Sequence, residues 1–348
     1  VKPAASRLAP LFVPRIWGAR TLEPLFSIAP GPEPIGEAWM SGEQTVFASG
    51  PFAGRKLGDI WPSLAAEWTG TRIHSAPRIP LLVKFLFPED KLSVQVHPTD
   101  EYARAHESGT APVGKTEMWY VISSRAQAQI GLGFRPGVTR ETFQRAIEDS
   151  RVESALQGIA VQPGEAFFVP AGTPHMIGPG MVLAEIQQHS DITYRVFDFN
   201  RRQTDGTLRP LHIRQALDVL NFGKSRGGRL EPVSVRIGPL DKTYLAACAY
   251  FATEKWMFSE PVVASPSTDR FELLILLSGR GAIGSGGESA PYGPAEVWLL
   301  PAALGEYQLV PDSPTTLLRT YVPDLGSLSN ELSAQHLPPA LISGLIRD

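Results

Sequence analysis

Two histidines, two carboxylates, an amide, a lysine and an arginine carry the chemistry legible in this chain. The stretch Gly164-Glu-Ala-Phe-Phe-Val-Pro170-Ala-Gly172-Thr-Pro-His175 sets a histidine behind a rigid Gly/Pro frame. Upstream lie Gln95-Val-His97 and Gly114-Lys115-Thr-Glu117. In an extended strand, side chains two apart share a face, so Gln95 projects with His97 and Lys115 with Glu117. Two imidazoles, a carboxylate and an amide oxygen from three separated segments form the kind of set that one metal ion needs. Zn²⁺ suits it with positions left for water or a ligand; the same mixed N/O donors would accept Mn²⁺, Fe²⁺ or Co²⁺. Glu185 stands in an otherwise apolar run, where a carboxylate is costly unless paired or functional. It is the leading acid/base candidate, with pairing to Arg195 or Lys115 as the structural alternative. His74, His106, His212 and His336 sit in loop or helix-surface contexts, and His189 is expected to be structural, with a role behind the metal ligands as the alternative.

Short strands must position these residues. The chain has 32 glycines and 32 prolines scattered between short apolar runs, which favours many turns and a β-rich sandwich or barrel. Strands are expected over 79–87, 92–97, 117–122, 166–169, 182–188 and 192–197, and later over 271–277, 297–300 and 316–322. Helices are expected over 59–68, 101–107, 139–156 (capped by Thr139), 210–220 and 327–346. A length of 348 residues calls for two domains, drawn here as 1–227 and 228–348. The segment Gly293 to Pro301 echoes the frame at Gly164, but the place for its histidine falls near Gly305 or Glu306. Residues 230–320 hold no histidine at all, so the second domain is expected to be metal-free.

The bulk numbers narrow the class further. A charged content of 19% against 43% hydrophobic is that of a soluble globular protein. A net charge of −3 gives no reason to expect nucleic acid or anionic membrane as partner, so any positive potential must be local, as a small anionic ligand would require. Cys248 is the single cysteine, which excludes an intrachain disulfide and a thiolate cluster; it reads as a core residue. No apolar stretch has the length of a membrane span, and the start lacks the layout of a signal peptide, so a cytoplasmic enzyme is expected. Two domains in one chain are compatible with a monomer.

Several ordered blocks resemble one family. Leu92-Ser-Val-Gln-Val-His-Pro98, Gly114-Lys-Thr-Glu-Met-Trp-Tyr120, Pro170-Ala-Gly-Thr-Pro-His175 and Ser190-Asp-Ile-Thr-Tyr-Arg195-Val-Phe-Asp-Phe-Asn-Arg201 are similar to type I mannose-6-phosphate isomerase, over most of residues 10–220. The resemblance implies a mainly β fold of two tandem cupin (jelly-roll) barrels, with a few short helices inserted and a C-terminal helix. It implies one Zn²⁺ per chain held by Gln95, His97, Glu117 and His175, and interconversion of mannose 6-phosphate and fructose 6-phosphate. The chain looks like the shorter bacterial branch, without the large helical domain. Longer members carry a tyrosine shortly after the last metal histidine, where this chain has Met176-Ile177.

The resemblance also places Arg195, ten residues after Glu185, as a cation facing the site. Its planar fork suits a phosphate or an enediolate oxygen; the structural alternative is a pairing with Asp191 or Asp198. Lys115 is expected to point inward, to stabilise charge or, with a depressed pKa, to move protons. Trp17 is expected to form a wall of the substrate pocket or to pack in the core. Two other readings stand beside this one: another cupin metalloenzyme (a sugar isomerase, epimerase or oxygenase), and a non-catalytic sugar-binding cupin. Two histidines and an amide lean away from an iron oxygenase.

Overall fold

Short apolar runs bounded by Gly and Pro form strands wherever alternate residues can be buried between two sheets. The computed structural model describes residues 1–28, 31–109, 111–203, 205–223 and 227–347. The chain divides into two units, each drawn from separated stretches. One comprises Val1–Leu11, Trp39–Val83 and Leu230–Asp348, and the other Phe12–Ala38 and Lys84–Arg229. Residues 1–11 and 39–83 cluster with the C-terminal stretch, partly because the strand Ser6–Ala9 pairs antiparallel with Val297–Leu300 and with Val46–Phe47.

The unit containing Lys84–Arg229 carries two sheets. One orders the strands Gly228–Arg229, Ala166–Val169, Glu117–Ser124, Met181–Gln188, Leu81–Leu86, Ile35–Trp39 and Leu11–Ala19. The other orders Tyr194–Phe197, Val94–Val96, His175–Ile177, Gln129–Phe134 and Leu156–Ala160. Trp119, Val121, Phe167 and Leu183 from the first pack with Ile130, Leu132 and Ile177 from the second in one buried cluster. On the other face of the five-stranded sheet, Val94, Val96, Met176 and Tyr194 are covered by Phe143 of the helix Arg140–Glu148 and Ala216 of the helix Ile213–Val219. The period-2 alternation thus sends Val94 and Val96 outward under helices, and leaves the other face of that strand to Gln95.

In the other unit, an eight-stranded sheet includes Leu240–Ala247, Ala252–Phe258, Thr315–Tyr321, Glu272–Ser278 and Val297–Leu300, and a four-stranded sheet includes Gly281–Ser285 and Tyr307–Pro311. Leu274, Leu276, Trp298 and Leu317 pack against Ile283 and Leu309 between them. Cys248 is buried, and burial pushes its thiol up to about 11, as befits a core residue.

Three helices differ from expectation. The one expected over 59–68 is broken into Leu57–Ile60, the tight turn Trp61–Ser63 and Ala66–Thr69, because Leu64 and Ala65 are extended. The one expected over 139–156 has the Thr139 capping box but spans Arg140–Glu148 only; Ser150 turns left-handed at φ 55°, and Leu156 already begins a strand. The C-terminal one is two helices, Leu325–Ala334 and Pro339–Leu345, separated where His336 takes φ 59° and Pro338-Pro339 offers no backbone N–H. Among the described residues, no helix is long and apolar enough to cross a membrane.

Candidate metal centre and its cavity

Strand register brings the distant motifs together. In the five-stranded sheet His175 lies opposite Gln95, and Gln95 is flanked on its other side by Arg195, which makes one cross-strand row. In the seven-stranded sheet Glu117 lies opposite Gln187 and Glu185 opposite Trp119, so both carboxylates share a face. The Gly/Pro turn also fastens the two histidine segments to each other. Gly172, at φ +81°, donates its N–H to the His97 carbonyl at 2.8 Å, and a Cβ there would meet the Val219 carbonyl at 2.9 Å.

His97, Glu117 and His175 are all buried, and their ligand atoms lie within 4.8 Å of one another; among the described residues they are the one such group. His97 Nδ1 is 2.8 Å from the Ile192 carbonyl and His175 Nδ1 is 2.9 Å from the Thr173 carbonyl. A carbonyl only accepts, so each Nδ1 carries its proton and each Nε2 presents a lone pair to the group. Burial holds His97 well below the ordinary imidazole range, helped by Lys115 and the neighbouring His175. Burial likewise lowers His175 to about 4, outweighing the Thr173 hydrogen bond. Both rings are therefore neutral at neutral pH.

The spacing fits a divalent ion. Glu117 Oε2 lies 3.7 Å from His97 Nε2 and Oε1 lies 3.5 Å from His175 Nε2. Ligands about 2.0–2.1 Å from a tetrahedral centre stand about 3.4 Å apart. The Trp119 indole donates to Glu117 Oε1 at 3.1 Å and holds the carboxylate in place. Gln95 reaches the same group, its amide nitrogen 3.2 Å from His175 Nε2 while its Oε1 accepts from Ser93 Oγ at 3.1 Å. Rotating that amide by half a turn exchanges the two atoms, offering the oxygen as a ligand and the NH₂ to Ser93.

Beside this group opens a cavity of about 410 Å³, lined by Trp17, Lys84, Gln95, Lys115, Glu185 and Arg195 among others. Trp17 packs in the core cluster and also lines the cavity. Lys115 Nζ lies 2.6 Å from Glu117 Oε2, 3.2 Å from His97 Nε2 and 3.7 Å from Glu185 Oε1. The expectation of a depressed Lys115 pKa is corrected. Burial pulls it down, but Glu117 and Glu185 more than offset that and raise it above the ordinary lysine value, so the ammonium stays charged. Burial raises the Glu185 carboxyl; Lys115 and Lys84 (3.5 Å) pull it back, and Glu117 pushes it further up.

Of the two partners left open for Glu185, Lys115 lies in ion-pair range and Arg195 does not, and Lys84 is a further partner that was not expected. Arg195 is in ion-pair contact with neither Asp191 nor Asp198 among the described residues. It donates from Nη1 to the Pro210 carbonyl at 2.9 Å, and its backbone N–H donates to His212 Nδ1 at 3.2 Å. Several cavity residues were missed in the sequence. Lys84 is a lone charge in the apolar strand Leu81–Leu86, the signal that exposed Glu185, and could have been found the same way. Arg15 is clamped on Glu37 by bonds of 3.0 and 3.1 Å, and Arg209 reaches the cavity from an irregular loop. Arg15 stands two residues before Trp17 on the strand Leu11–Ala19, so that spacing could have found it, whereas Arg209 carries no periodic signal.

Fold and site together define the class: a β-sheet protein with a buried internal group fit for one divalent ion. Along its length the chain is 36% identical to the mannose-6-phosphate isomerase ManA of Bacillus subtilis over 307 residues, covering 86% of this chain and 94% of that one. It is 35% identical over 298 residues to the mannose-6-phosphate isomerase of Streptococcus mutans, covering 84% and 91%. The crystal structure of the mannose 6-phosphate isomerase from Bacillus subtilis matches with a TM-score of 0.82 at 27% identity, over 91% of this chain and 99% of that one. No protein-family profile matches the chain. The chain belongs to the mannose-6-phosphate isomerase family.

Proposed function

We propose that this chain is a zinc-dependent cupin isomerase of the cytoplasm that interconverts mannose 6-phosphate and fructose 6-phosphate. The observation that carries the reading is the His97–Glu117–His175 group, its two Nε2 atoms kept unprotonated, beside a cavity large enough for a sugar phosphate. Gln95, His97, Glu117 and His175 would hold the ion. When bound, it would polarise the sugar oxygens and fix the sugar's orientation.

In the aldose-to-ketose direction a proton leaves C2 and one is delivered to C1, while the hydroxyl proton of O2 is lost and O1 gains one, so the carbonyl passes from C1 to C2. A single group can serve both carbons if it is readily protonated and deprotonated. Glu185, raised by burial and lining the cavity beside two lysines, is the group we assign to that role. The charged Lys115 and Arg195 stabilise negative charge on the enediol-type oxygens and the phosphate, and Trp17 forms an apolar wall. On this reading the chemistry belongs to residues 12–38 and 84–229, the strands of 230–348 serve as scaffold, and one chain suffices as a monomer.

Metal analysis joined to an isomerase assay tests the proposal. Purified protein should carry about one divalent ion per chain, form fructose 6-phosphate from mannose 6-phosphate, stop after chelation and recover with Zn²⁺. A metal-loaded protein that leaves mannose 6-phosphate unchanged would refute the reading.

A further inference from the structure

The cations around the cavity form two groups, and only one is neutralised locally. Near the metal ligands, Lys84 and Lys115 lie among Glu117, Glu185 and Asp191, and Arg15 is clamped on Glu37. Past Arg195 the balance changes. Arg201 and Arg209 both pair with one buried carboxylate, Asp198, and Arg201 also reaches the exposed Asp90 at 3.2 Å. Counting Arg201, which does not itself line the cavity, three guanidiniums thus stand over two carboxylates, one of them solvated. The excess is felt at Arg195, whose pKa is lowered first by burial and next by Arg209.

Unused donors mark the same end. Arg195 Nε is buried and finds no acceptor among the described residues. Arg209 donates from Nε to Asp198 Oδ2 at 2.7 Å and from Nη2 to Oδ1, while Nη1 makes no hydrogen bond among the described residues. Both arginines line the cavity that also holds Gln95 and Glu185. A two-point bond to a carboxylate fixes the plane of a guanidinium, so the remaining edge of Arg209 is already oriented before any ligand arrives.

We infer that this end of the cavity is the phosphate subsite, in which Arg209 works beside Arg195 as a substrate-binding residue and Asp198 is the positioning residue that orients Arg209. The inference rests on the isomerase reading only for what carries the phosphate.

Calorimetric titration of the metal-loaded full chain with inorganic phosphate, alongside kinetics with mannose 6-phosphate, tests it. Arg209→Met should weaken phosphate binding and raise KM by about 10- to 100-fold, with kcat falling less and metal content unchanged. Arg209→Lys should restore part of the loss, since charge returns without the fork. Asp198→Asn should shift KM in the same direction by less; if it fails to fold, the two Arg209 variants decide. Wild-type phosphate affinity in Arg209→Met would overturn the subsite, as would a fall in kcat at constant KM. A wild-type chain that binds phosphate through Arg209 yet does not isomerise mannose 6-phosphate would leave the subsite standing and sink the isomerase reading.

Discussion

Burial, more than any single contact, sets the chemistry of the individual site residues. It keeps His97 and His175 neutral, so their Nε2 atoms carry lone pairs that a metal could use, and it raises the Glu185 carboxyl above its ordinary value. Lys115 is the exception, because two carboxylates within 3.7 Å outweigh its own desolvation. His175→Ala removes one of the neutral nitrogens and should cost both bound metal and turnover; full activity in that variant would contradict the ligand assignment. Glu185→Gln should keep the metal, as read by elemental analysis, while kcat falls about 100-fold or more. Normal turnover in Glu185→Gln would take that residue out of the mechanism.

Elements deliver these residues through two devices, strand register and one rigid turn. Register was legible where the motif itself spans alternate residues, as in Gln95 and His97, because i and i+2 share a face in any strand. Which strands become neighbours was not legible: the row Arg195–Gln95–His175 joins segments up to 100 residues apart in the chain by hydrogen bonds no local pattern encodes. The helix ends misjudged at 149 and near 336 were decided by residues in the left-handed region, which a hydrophobic period does not register. Gly172 is the glycine on which the turn depends. Gly172→Ala adds a Cβ at φ +81° and 2.9 Å from a backbone carbonyl, so it should lower stability by about 1–3 kcal/mol and weaken metal retention by displacing His175. Thermal melts and metal titration would check both, and an unchanged melt would show that the turn accommodates the side chain.

Across the whole molecule the two units answer the same problem, charge inside a β core, in different ways. Glu254 and Trp256 repeat the pairing of Glu117 and Trp119, indole to carboxylate at 2.7 Å. Instead of histidines, Glu254 has Arg319 at 3.1 Å and Lys242 at 3.2 Å, and Arg319 also forks onto Glu272. Despite burial, those cations hold the Glu254 carboxyl down at about 2, from an ordinary value of 4.5. A depressed carboxylate contributes stability that is fully present above its unfolded pKa and is lost as pH falls through the folded one. Melting temperature should therefore drop between about pH 4.5 and 2, and Glu254→Gln should flatten that part of the profile; an unaltered slope would exclude Glu254 as a source. Arg319→Met leaves two buried carboxylates short of their cation and should destabilise by about 3–5 kcal/mol. The sequence alone determined the mainly β class and the four candidate ligands, since ligand type and strand spacing are local properties. Only the tertiary structure decided the charge balance of the cavity: Lys84 among the carboxylates, and Arg209 oriented by Asp198. Pairing of buried charges depends on which distant strands and loops meet out of water, and the pattern of residues along one strand does not contain that.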